Sequence, residues 1–326
     1  MSKTYNWGII GLGKIANKFV KDLQLVEGAN LYAVASRSLD RAKSFSKQHQ
    51  ADKYYGSYKE LAEDPNIDVI YIATPHVFHY ENTLMCLKAG KAVLCEKAFG
   101  MNKQEVETMI LKSREKGVFL MEALWTRFIP ATNKVLELLN SGLIGNLQSV
   151  RADFGFKAEY DPQKRVFNKQ LGGGSLLDIG IYPIFLSLLT LGVPEKIQAM
   201  AIMSPTGADN TCMMLFDYSN EQTAVLDASL MVSTPVEGWL YGDKGSLKMH
   251  HRFHHTKEIS HYKGQELIGT YQVDFIGNGY YHEIVEVMDC LKAGEIESKK
   301  MPLSFSLDLI TVLDGVRESI GLSYDE

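Results

Sequence analysis

The sequence predicts an α/β protein with an N-terminal parallel sheet and a C-terminal α/β domain that contains a large open, mostly antiparallel sheet. Up to about Ala123, short apolar runs alternate with helical patterns, which is typical of βαβ units. Beyond that point, strand-like runs follow one another without helices between them. The length of 326 residues also corresponds to roughly two domains. We therefore predict domains over residues 1–123 and 124–326.

The N-terminal elements follow from apolar runs and capping residues. Tyr5–Ile10 has the length of a buried strand, and a helical pattern runs from Lys14 to about Leu25. Ser38 is a predicted N-cap, and Ser57 and Asn102 are each followed three residues later by a glutamate, as in a capping box. The other predicted elements are the strands Leu31–Ala35, Val69–Ala73, Ala92–Cys95 and Val118–Glu122 and the helix Glu81–Ala89.

The clearest element of the C-terminal part is Leu147–Phe156, where apolar and polar residues alternate. This pattern predicts an amphipathic strand with one face toward water or a ligand. Further strand-like runs are Lys196–Met203, Thr211–Tyr218, Gln222–Leu230, Val236–Tyr241 and Gly245–Met249. The predicted helices are Thr132–Asn140, Tyr281–Lys292 and Ser304–Ile320.

Composition argues against several classes of protein. Hydrophobic residues make up 45% of the chain and charged residues 22%, as in ordinary globular proteins. A net charge of −5 argues against nucleic acid as the main partner. The most apolar stretch, Leu176–Val193, contains Asp178 and Pro183 and is therefore expected to be a poor membrane span. Four cysteines without a CxxC pair and an N-terminus without a signal core predict buried thiols in the cytoplasm.

The first turn of the chain carries a phosphate-binding motif. Gly11 and Gly13 belong to the run Gly-Leu-Gly-Lys-Ile-Ala, which fits G-x-G-x-x-[GA] between a strand and a helix. Glycines allow a tight turn and let the backbone approach a pyrophosphate, and the helix N-terminus offers N–H groups. We therefore predict a dinucleotide site that includes Lys14 and Ile15 at the start of the helix.

The end of the second strand predicts which dinucleotide is bound. Proteins that bind NAD usually place Asp or Glu there, to bind the ribose 2′-hydroxyl. This chain has Ser36 and Arg37, with Arg41 four residues after Arg37. A guanidinium can pair with a 2′-phosphate through two hydrogen bonds, and Ser36 can donate another. We predict NADP as the preferred cofactor, with NAD as the alternative; the alternative without a cofactor is that these residues form an ordinary solvated helix start.

Further motifs together resemble the Gfo/Idh/MocA oxidoreductases. They are Ala73-Thr74-Pro75 with His79, then Glu96-Lys97, then GGGSLLDIGIYP from Gly172 to Pro183. The glycine run and EALWTRF at 122–128 are most similar to the dimeric dihydrodiol dehydrogenase and glucose–fructose oxidoreductase branch. The resemblance implies a Rossmann domain, then an α/β domain with an open sheet, and an active site between them. It also implies a homodimer or higher homo-oligomer formed through that sheet.

The resemblance implies three catalytic residues. Lys97 matches the lysine of the family's E-K-P motif, near the nicotinamide and substrate, and Asp178 and Tyr182 match its D-x-G-x-[HY] pair. Oxidation of a secondary alcohol needs a base for the hydroxyl proton, and a nearby ammonium lowers the pKa of a tyrosine from its usual ~10. In a helix, positions 178 and 182 lie one turn apart, and Pro183 predicts a kink beside them.

The resemblance implies further residues at the cofactor, namely Thr74, Pro75, His79 and Glu96. The residues expected at the substrate follow from their places in the chain: His76 in the same βα loop, Trp125 and Arg127 after the sixth strand, and Phe154 on the alternating strand. Trp125 also fits a place in a domain interface. Relatives often have a Trp-Arg pair at the position of Arg165, whereas this chain has Lys164 before it.

Two features leave alternatives open. Ala98 stands where the family has proline, so the Lys97–Ala98 peptide is either trans, with Lys97 displaced, or cis. Five histidines between His250 and His261 are interpreted as part of an exposed strand–turn–strand. Neighbouring strand residues point to opposite faces, and the segment has no Cys or paired carboxylate to complete a metal site, so we predict no metal.

The function that these features predict is an NADP-dependent oxidoreductase. It would transfer a hydride between the nicotinamide and a sugar, polyol or vicinal-diol carbon. One alternative is a non-catalytic regulator that binds NADP and a sugar on the same scaffold. Another is a redox-assisted glycosidase, although such relatives commonly use NAD, which disagrees with Arg37.

Overall fold

The computed structural model describes residues 3–324, which form two compact units. One unit comprises the chain up to Phe128 together with Ile276–Leu307. The other comprises Ile129–Phe275 and the chain from Asp308 onward. The sequence predicted one domain boundary, after Ala123. In the structure the first unit extends to Phe128, and Ile276–Leu307 also belongs to it, which the sequence did not predict.

The first unit is built on a parallel six-stranded sheet with the order β3-β2-β1-β4-β5-β6. Its strands are β1 (Tyr5–Ile10), β2 (Ala29–Ala35), β3 (Lys53–Tyr55), β4 (Val69–Ile72), β5 (Ala92–Glu96) and β6 (Leu120–Ala123). The helices are α1 (Lys14–Leu23), α2 (Leu39–His49), α3 (Tyr58–Glu63), α4 (His79–Lys88) and α5 (Lys103–Lys116). The strand order reverses at β1, and ligands of such sheets bind where the order reverses, at the carboxyl ends of the strands.

The predicted helix caps are formed. The Ser38 hydroxyl accepts from the Arg41 N–H at 3.4 Å and starts α2. Asn102 accepts from the Glu105 N–H at 2.9 Å, and the Glu105 carboxylate accepts from the Met101 N–H at 2.8 Å. These local hydrogen bonds explain why the helix starts were predictable from the sequence.

The second unit contains an eight-stranded sheet with the order β14-β13-β12-β11-β7-β10-β9-β8. Only β7 and β10 pair in parallel, so the predicted mostly antiparallel sheet is confirmed. The strands are β7 (Leu147–Gly155), β8 (Lys196–Met203), β9 (Asp209–Asp217), β10 (Thr223–Ser229), β11 (Gly238–Gly242), β12 (Ser246–Met249), β13 (Glu258–Lys263) and β14 (Glu266–Gln272). The helices α6 (Pro130–Asn140) and α7 (Ile181–Leu191) precede β7 and β8, and α7 packs against β7 and β10.

One helical stretch within residues 3–324, Lys169–Leu191, is long and apolar enough to cross a membrane by length and composition alone. This differs from the expectation that Asp178 and Pro183 make the region a poor span. However, 78% of its most apolar window is buried inside the protein. A core helix that packs against a sheet passes the same test.

Asp22 of α1 binds the segment of the chain that returns to the first unit. This fully buried carboxylate accepts from the backbone N–H groups of Asn278, Tyr280 and Tyr281 at 2.8–3.2 Å. It therefore caps α8 (Tyr281–Ala293) from another helix, at the end where unpaired N–H groups favour an anion. Asp22 and Asn278 are 256 residues apart, so no local pattern reveals the pair. The last helix is α9 (Leu303–Ile320).

A buried carboxyl group on β6 makes the stability depend on pH. Glu122 is 2% exposed, and burial raises its pKa to about 7 against the lowering effect of its hydrogen bonds. The folded state thus holds this proton more tightly than the unfolded chain does. Its contribution to stability is complete below pH ~4.5 and is lost as the pH rises through about 7.

We therefore expect Glu122→Gln, which cannot ionise, to remove up to about 3 kcal/mol of the pH dependence between pH 4.5 and 8. Urea unfolding at several pH values measures the free energy of unfolding directly. Glu107→Gln on α5 is the control, because its side chain is 46% exposed. An unchanged slope in Glu122→Gln would mean that the pKa of Glu122 is not raised in the folded protein.

Candidate active site

The two glycines of the first turn have different roles. Gly11 has φ +90°, and a Cβ there would lie 2.6 Å from the Ala73 carbonyl and 2.7 Å from the Thr74 nitrogen. Gly11 therefore lets the tight turn pack against the end of β4, and its role toward a pyrophosphate stays a prediction. A Cβ on Gly13, in contrast, would enter open space at the N-terminus of α1.

The N-terminus of α1 fits a dinucleotide pyrophosphate. Gly13 is the N-cap and has no side chain to accept from the N–H groups of the first turn, and a Cβ there would meet nothing within 4 Å. Lys14 and Ile15 begin the helix there, and Ile15 is 39% exposed. Ala16 is fully buried, which allows close packing of the helix on the sheet as predicted.

Two arginines lie at the carboxyl end of β2. Arg41 donates to the Leu12 carbonyl at 2.6 Å and so braces the glycine turn. The guanidinium carbon of Arg37 lies 5.6 Å from the centre of the Phe78 ring. Ser36 is 8% exposed, and its hydroxyl accepts from the Ser38 N–H at 3.2 Å. A guanidinium has five N–H donors, so the bond to Leu12 leaves Arg41 able to bind an anion beside Arg37.

Lys97 follows β5 directly, and the Lys97–Ala98 peptide is cis. Of the two alternatives that Ala98 leaves open, the structure has the cis form. His79 is fully buried, with Nδ1 2.7 Å from the Ala98 carbonyl oxygen and Nε2 2.8 Å from the Thr74 carbonyl oxygen. Its ring therefore joins the ends of β4 and β5, and its role toward a cofactor stays a prediction.

The remaining predicted cofactor residues lie around the same strand ends. The Thr74 hydroxyl accepts from Asn82 at 3.3 Å, and Pro75 precedes the short 3₁₀ turn His76–Phe78. Glu96 is 8% exposed and accepts a short hydrogen bond from the Tyr71 hydroxyl. This bond directs one carboxylate oxygen of Glu96 toward the core.

The predicted substrate residues of the first unit are held by aromatic and backbone contacts. His76 is 4% exposed and packs edge-on against His79, with ring centres 5.7 Å apart. Trp125 is 8% exposed and stacks on Tyr280 at 4.8 Å. The Arg127 Nε donates to the Lys300 carbonyl at 2.8 Å. Their roles toward a substrate stay predictions.

In the second unit, a glycine loop leads into the segment that carries Asp178 and Tyr182. Gly174 has φ +132°, and a Cβ there would collide with the Asp209 carboxylate. The fully buried Asp209 accepts from the Ser175 hydroxyl at 2.6 Å and from the Leu176 N–H at 2.7 Å. Asp209 thereby caps the helical segment from β9.

One turn of π-helix, Leu176–Gly180, precedes α7. In a regular α-helix, the ring of Pro183 would collide with the Ile179 carbonyl. The wider π turn accommodates this proline, at the place where the sequence predicts a kink, and such turns are frequent at functional sites. Asp178 therefore lies on the π turn, and Tyr182 lies in the first turn of α7.

Asp178 is paired with Arg165. A guanidinium nitrogen of Arg165 lies 2.7 Å from Oδ1 of Asp178, whose side chain is only 13% exposed. A charge-assisted hydrogen bond of this length fixes the carboxylate in place. Arg165 was not a predicted site residue, because Lys164 breaks the sequence pattern that would have identified it.

Tyr182 belongs to a cluster of three aromatic rings. It is 7% exposed, and its ring lies 4.9 Å from His254 and 5.5 Å from Phe154. Phe154 and His254 stack at 4.5 Å with an interplanar angle of 20°. Phe154 thus lies beside Tyr182, and the three rings form an aromatic wall that suits a flat or ring-shaped ligand.

The position of His254 corrects the interpretation of the histidine-rich segment. The strand–turn–strand is present as β12, the turn Phe253–His255 and β13, but His254 is buried rather than exposed. Nothing local distinguishes His254 from the neighbouring histidines; only the fold brings it to Tyr182. No group of three or more His, Cys, Asp or Glu suited to a metal ion occurs among residues 3–324.

Comparison with known proteins identifies the class. Residues 5–124 match the model of the Gfo/Idh/MocA oxidoreductase family with its NAD-binding Rossmann fold, and residues 132–248 match the C-terminal domain of the same family. The chain belongs to the Gfo/Idh/MocA oxidoreductases. The predicted family, fold, enzyme class and nicotinamide cofactor are thereby confirmed.

Individual proteins of known activity are similar to this chain along nearly its whole length. The chain is 38% identical to trans-1,2-dihydrobenzene-1,2-diol dehydrogenase of Mus musculus and 37% identical to that of Homo sapiens, in each case over 98% of both chains. A 3-ketoreductase of Actinomadura kijaniata, solved with NADP and TDP-benzene, superposes with a TM-score of 0.88 at 25% identity over 98% of both chains. An aldose-aldose oxidoreductase of Caulobacter crescentus has the same fold, with a TM-score of 0.88 at 22% identity over 97% of both chains.

Proposed function

We propose that this protein is an NADP-dependent dehydrogenase of vicinal diols, with sugars and polyols as the alternative substrates. The observation that carries the proposal is the cluster of Tyr182, Phe154 and His254, with Asp178 held by Arg165 one turn away. Identity of 38% to a diol dehydrogenase along nearly the whole chain supports the substrate class. An aromatic wall suits the ring of a cyclic diol.

When bound, the nicotinamide would accept the hydride in oxidation of the substrate and donate it in reduction. We assign Tyr182 as the group that takes the hydroxyl proton of the substrate in oxidation and returns it in reduction. A tyrosine with its usual pKa of ~10 is a poor base near neutrality, so a cation must lower the pKa, and we assign this role to Lys97. Asp178, fixed by Arg165, is assigned to orient the reacting hydroxyl.

The preference for NADP rests on the carboxyl end of β2. Arg37 and Arg41 lie there, where NAD-binding chains usually have an acidic residue. A 2′-phosphate would neutralise these cations, whereas a 2′-hydroxyl would not. The 3-ketoreductase that superposes on this chain was solved with NADP, which supports the same choice.

Assays of the purified protein with NADP+ and NAD+ test the proposal. We expect absorbance at 340 nm to rise with a cyclic trans-1,2-diol and NADP+, and more slowly with aldoses. Tight NADPH binding without turnover of any diol, aldose or polyol would favour the non-catalytic regulator. Cleavage of a p-nitrophenyl glycoside with catalytic amounts of NAD would favour the glycosidase.

We propose that the second unit forms a homodimer or higher homo-oligomer through the open face of β8, β9 and β10. Large apolar side chains are exposed on this face: Met200 (63%), Ile202 (56%), Met213 (37%), Leu215 (52%) and Val225 (42%). A contiguous apolar surface of this kind is rare on monomers. A second copy suits it because identical copies can pair this same face about a two-fold axis.

Introducing a charge into this face is expected to separate the oligomer. We expect Leu215→Glu to sediment as a monomer in velocity ultracentrifugation while the wild type sediments as a dimer or larger. Leu267→Glu on the edge strand β14 is the control, because Leu267 is similarly exposed (54%) but lies outside the face. A wild-type protein that sediments as a monomer would contradict the proposal.

We further propose a cytoplasmic location. The support is that Cys86, Cys95, Cys212 and Cys290 are all free and buried, as expected in a reducing compartment. Cell fractionation with an antibody to the protein would test this.

A further inference from the structure

The tail of the chain contacts the glycine loop of the catalytic segment. Tyr324 donates from its hydroxyl to the Gly173 carbonyl at 3.0 Å, across 151 residues of sequence. The guanidinium carbon of Arg317 lies 5.6 Å from the centre of the Tyr324 ring, and Arg317 forms an ion pair with Asp314 on the preceding turn of α9. The end of α9 and the tail therefore hold Tyr324 against the loop.

The backbone of the loop is closely packed at this contact. A Cβ on Gly173 would collide with the Arg165 carbonyl, and it would lie 2.8 Å from the Asn168 carbonyl oxygen. A Cβ on Gly174 would collide with Asp209 and lie 3.3 Å from the Tyr324 hydroxyl. The Gly173–Gly174 backbone is therefore enclosed by Arg165, Asp209 and Tyr324, and Arg165 also binds Asp178.

Near neutral pH, the protonation states of Tyr324 and Asp209 suit the hydrogen bonds that they form with the glycine loop. Burial raises the pKa of Tyr324 well above its usual value; Asp209 and Asp178 add to this effect and Arg317 opposes it. The hydroxyl therefore stays protonated and donates. Burial also raises the pKa of Asp209, to about 6, so this carboxyl group is an anion at neutral pH and accepts from Ser175 and Leu176.

We propose that Tyr324 is a positioning residue for the reaction. Its hydrogen bond to Gly173 holds the glycine loop against Asp209, and this keeps Asp178 and Tyr182 in their reactive positions. The inference rests on the proposed function of Asp178 and Tyr182. Small displacements of catalytic groups are costly, since about 1 Å can lower a rate by ~10²-fold.

Tyr324→Phe removes one oxygen atom and is expected to lower kcat about 10-fold, with the Kd for NADPH unchanged and the melting temperature within about 4 °C of wild type. Tyr271→Phe is the matched control. Tyr271 is also partly buried and lies under a cation, with the Lys134 Nζ 5.3 Å from its ring centre, but it lies on the edge strand β14. We expect Tyr271→Phe to have wild-type kcat.

The double variant Tyr324→Phe/Tyr182→Phe distinguishes a positioning role of Tyr324 from a general effect on the stability of the protein. If Tyr324 acts through Tyr182, the double variant loses no further activity beyond Tyr182→Phe. Wild-type kcat in Tyr324→Phe, or an equal loss in both backgrounds, would overturn the inference. Wild-type turnover in Tyr182→Phe alone would instead contradict the proposed function, so the two failures are distinguishable.

Discussion

Replacing Tyr182 by phenylalanine is expected to lower kcat by about 10²–10⁴-fold, the range typical for loss of a general acid or base. The substitution keeps the ring, so its packing against Phe154 and His254 stays intact. Only the hydroxyl that would exchange a proton with the substrate is lost. Because α1 and the arginines after β2 are unchanged, we expect the Kd for NADPH to stay within about twofold of wild type.

Steady-state kinetics and NADPH fluorescence titration measure these two quantities separately. Tyr262→Phe on β13 controls for the loss of a tyrosine hydroxyl in the same unit. If Tyr182→Phe keeps near-wild-type kcat, Tyr182 is not the proton-transferring group. If NADPH binding and kcat fall together, the residue serves the fold or the cofactor site.

Replacing Arg37 by aspartate is expected to reverse the cofactor preference. Each charge-assisted hydrogen bond to a phosphate contributes about 1.5–3 kcal/mol, and the new carboxylate would also repel the 2′-phosphate. We expect kcat/KM for NADP+ to fall about 100-fold. We expect kcat/KM for NAD+ to rise, because a carboxylate at this position can accept from the ribose 2′-hydroxyl.

The measurement is kcat/KM for both cofactors with one substrate. Arg114→Asp makes the same change in net charge at an exposed site on α5 and is expected to have little effect. Unchanged NADP+ kinetics in Arg37→Asp would remove Arg37 from the 2′-phosphate site. Such a result would leave the fold, the family and the pyrophosphate site intact.

Much of the fold was predictable because its signals are local. Tyr5–Ile10 is a strand with the predicted bounds, and Ser38 and Asn102 cap the helices that they were predicted to start. The missed strands β3 and β14 are short or largely exposed and lack an apolar pattern. Their hydrogen bonds to neighbouring strands stabilise them, and periodicity does not report such pairing.

The candidate site was predictable where motifs name residues and unpredictable where distant segments meet. Lys97, Asp178 and Tyr182 follow from motifs, and their roles stay predictions. Arg165 reaches Asp178 in spite of an altered motif, and His254 reaches Tyr182 from a segment interpreted as exposed. His79 was predicted beside the cofactor, and its ring nitrogens lie 2.7 and 2.8 Å from two backbone carbonyl oxygens, contacts that the motif does not specify.

By itself, the sequence determined the alternation of strands and helices, the glycine turn, the cations after β2 and the family. These depend on neighbouring residues, whose hydrogen-bonding and packing preferences act over a few positions of the chain. The tertiary structure alone decided that the Lys97–Ala98 peptide is cis, that a π turn accommodates Pro183, and that Asp22 returns α8 to the first unit. These features depend on contacts between segments far apart in sequence, which composition and spacing do not encode.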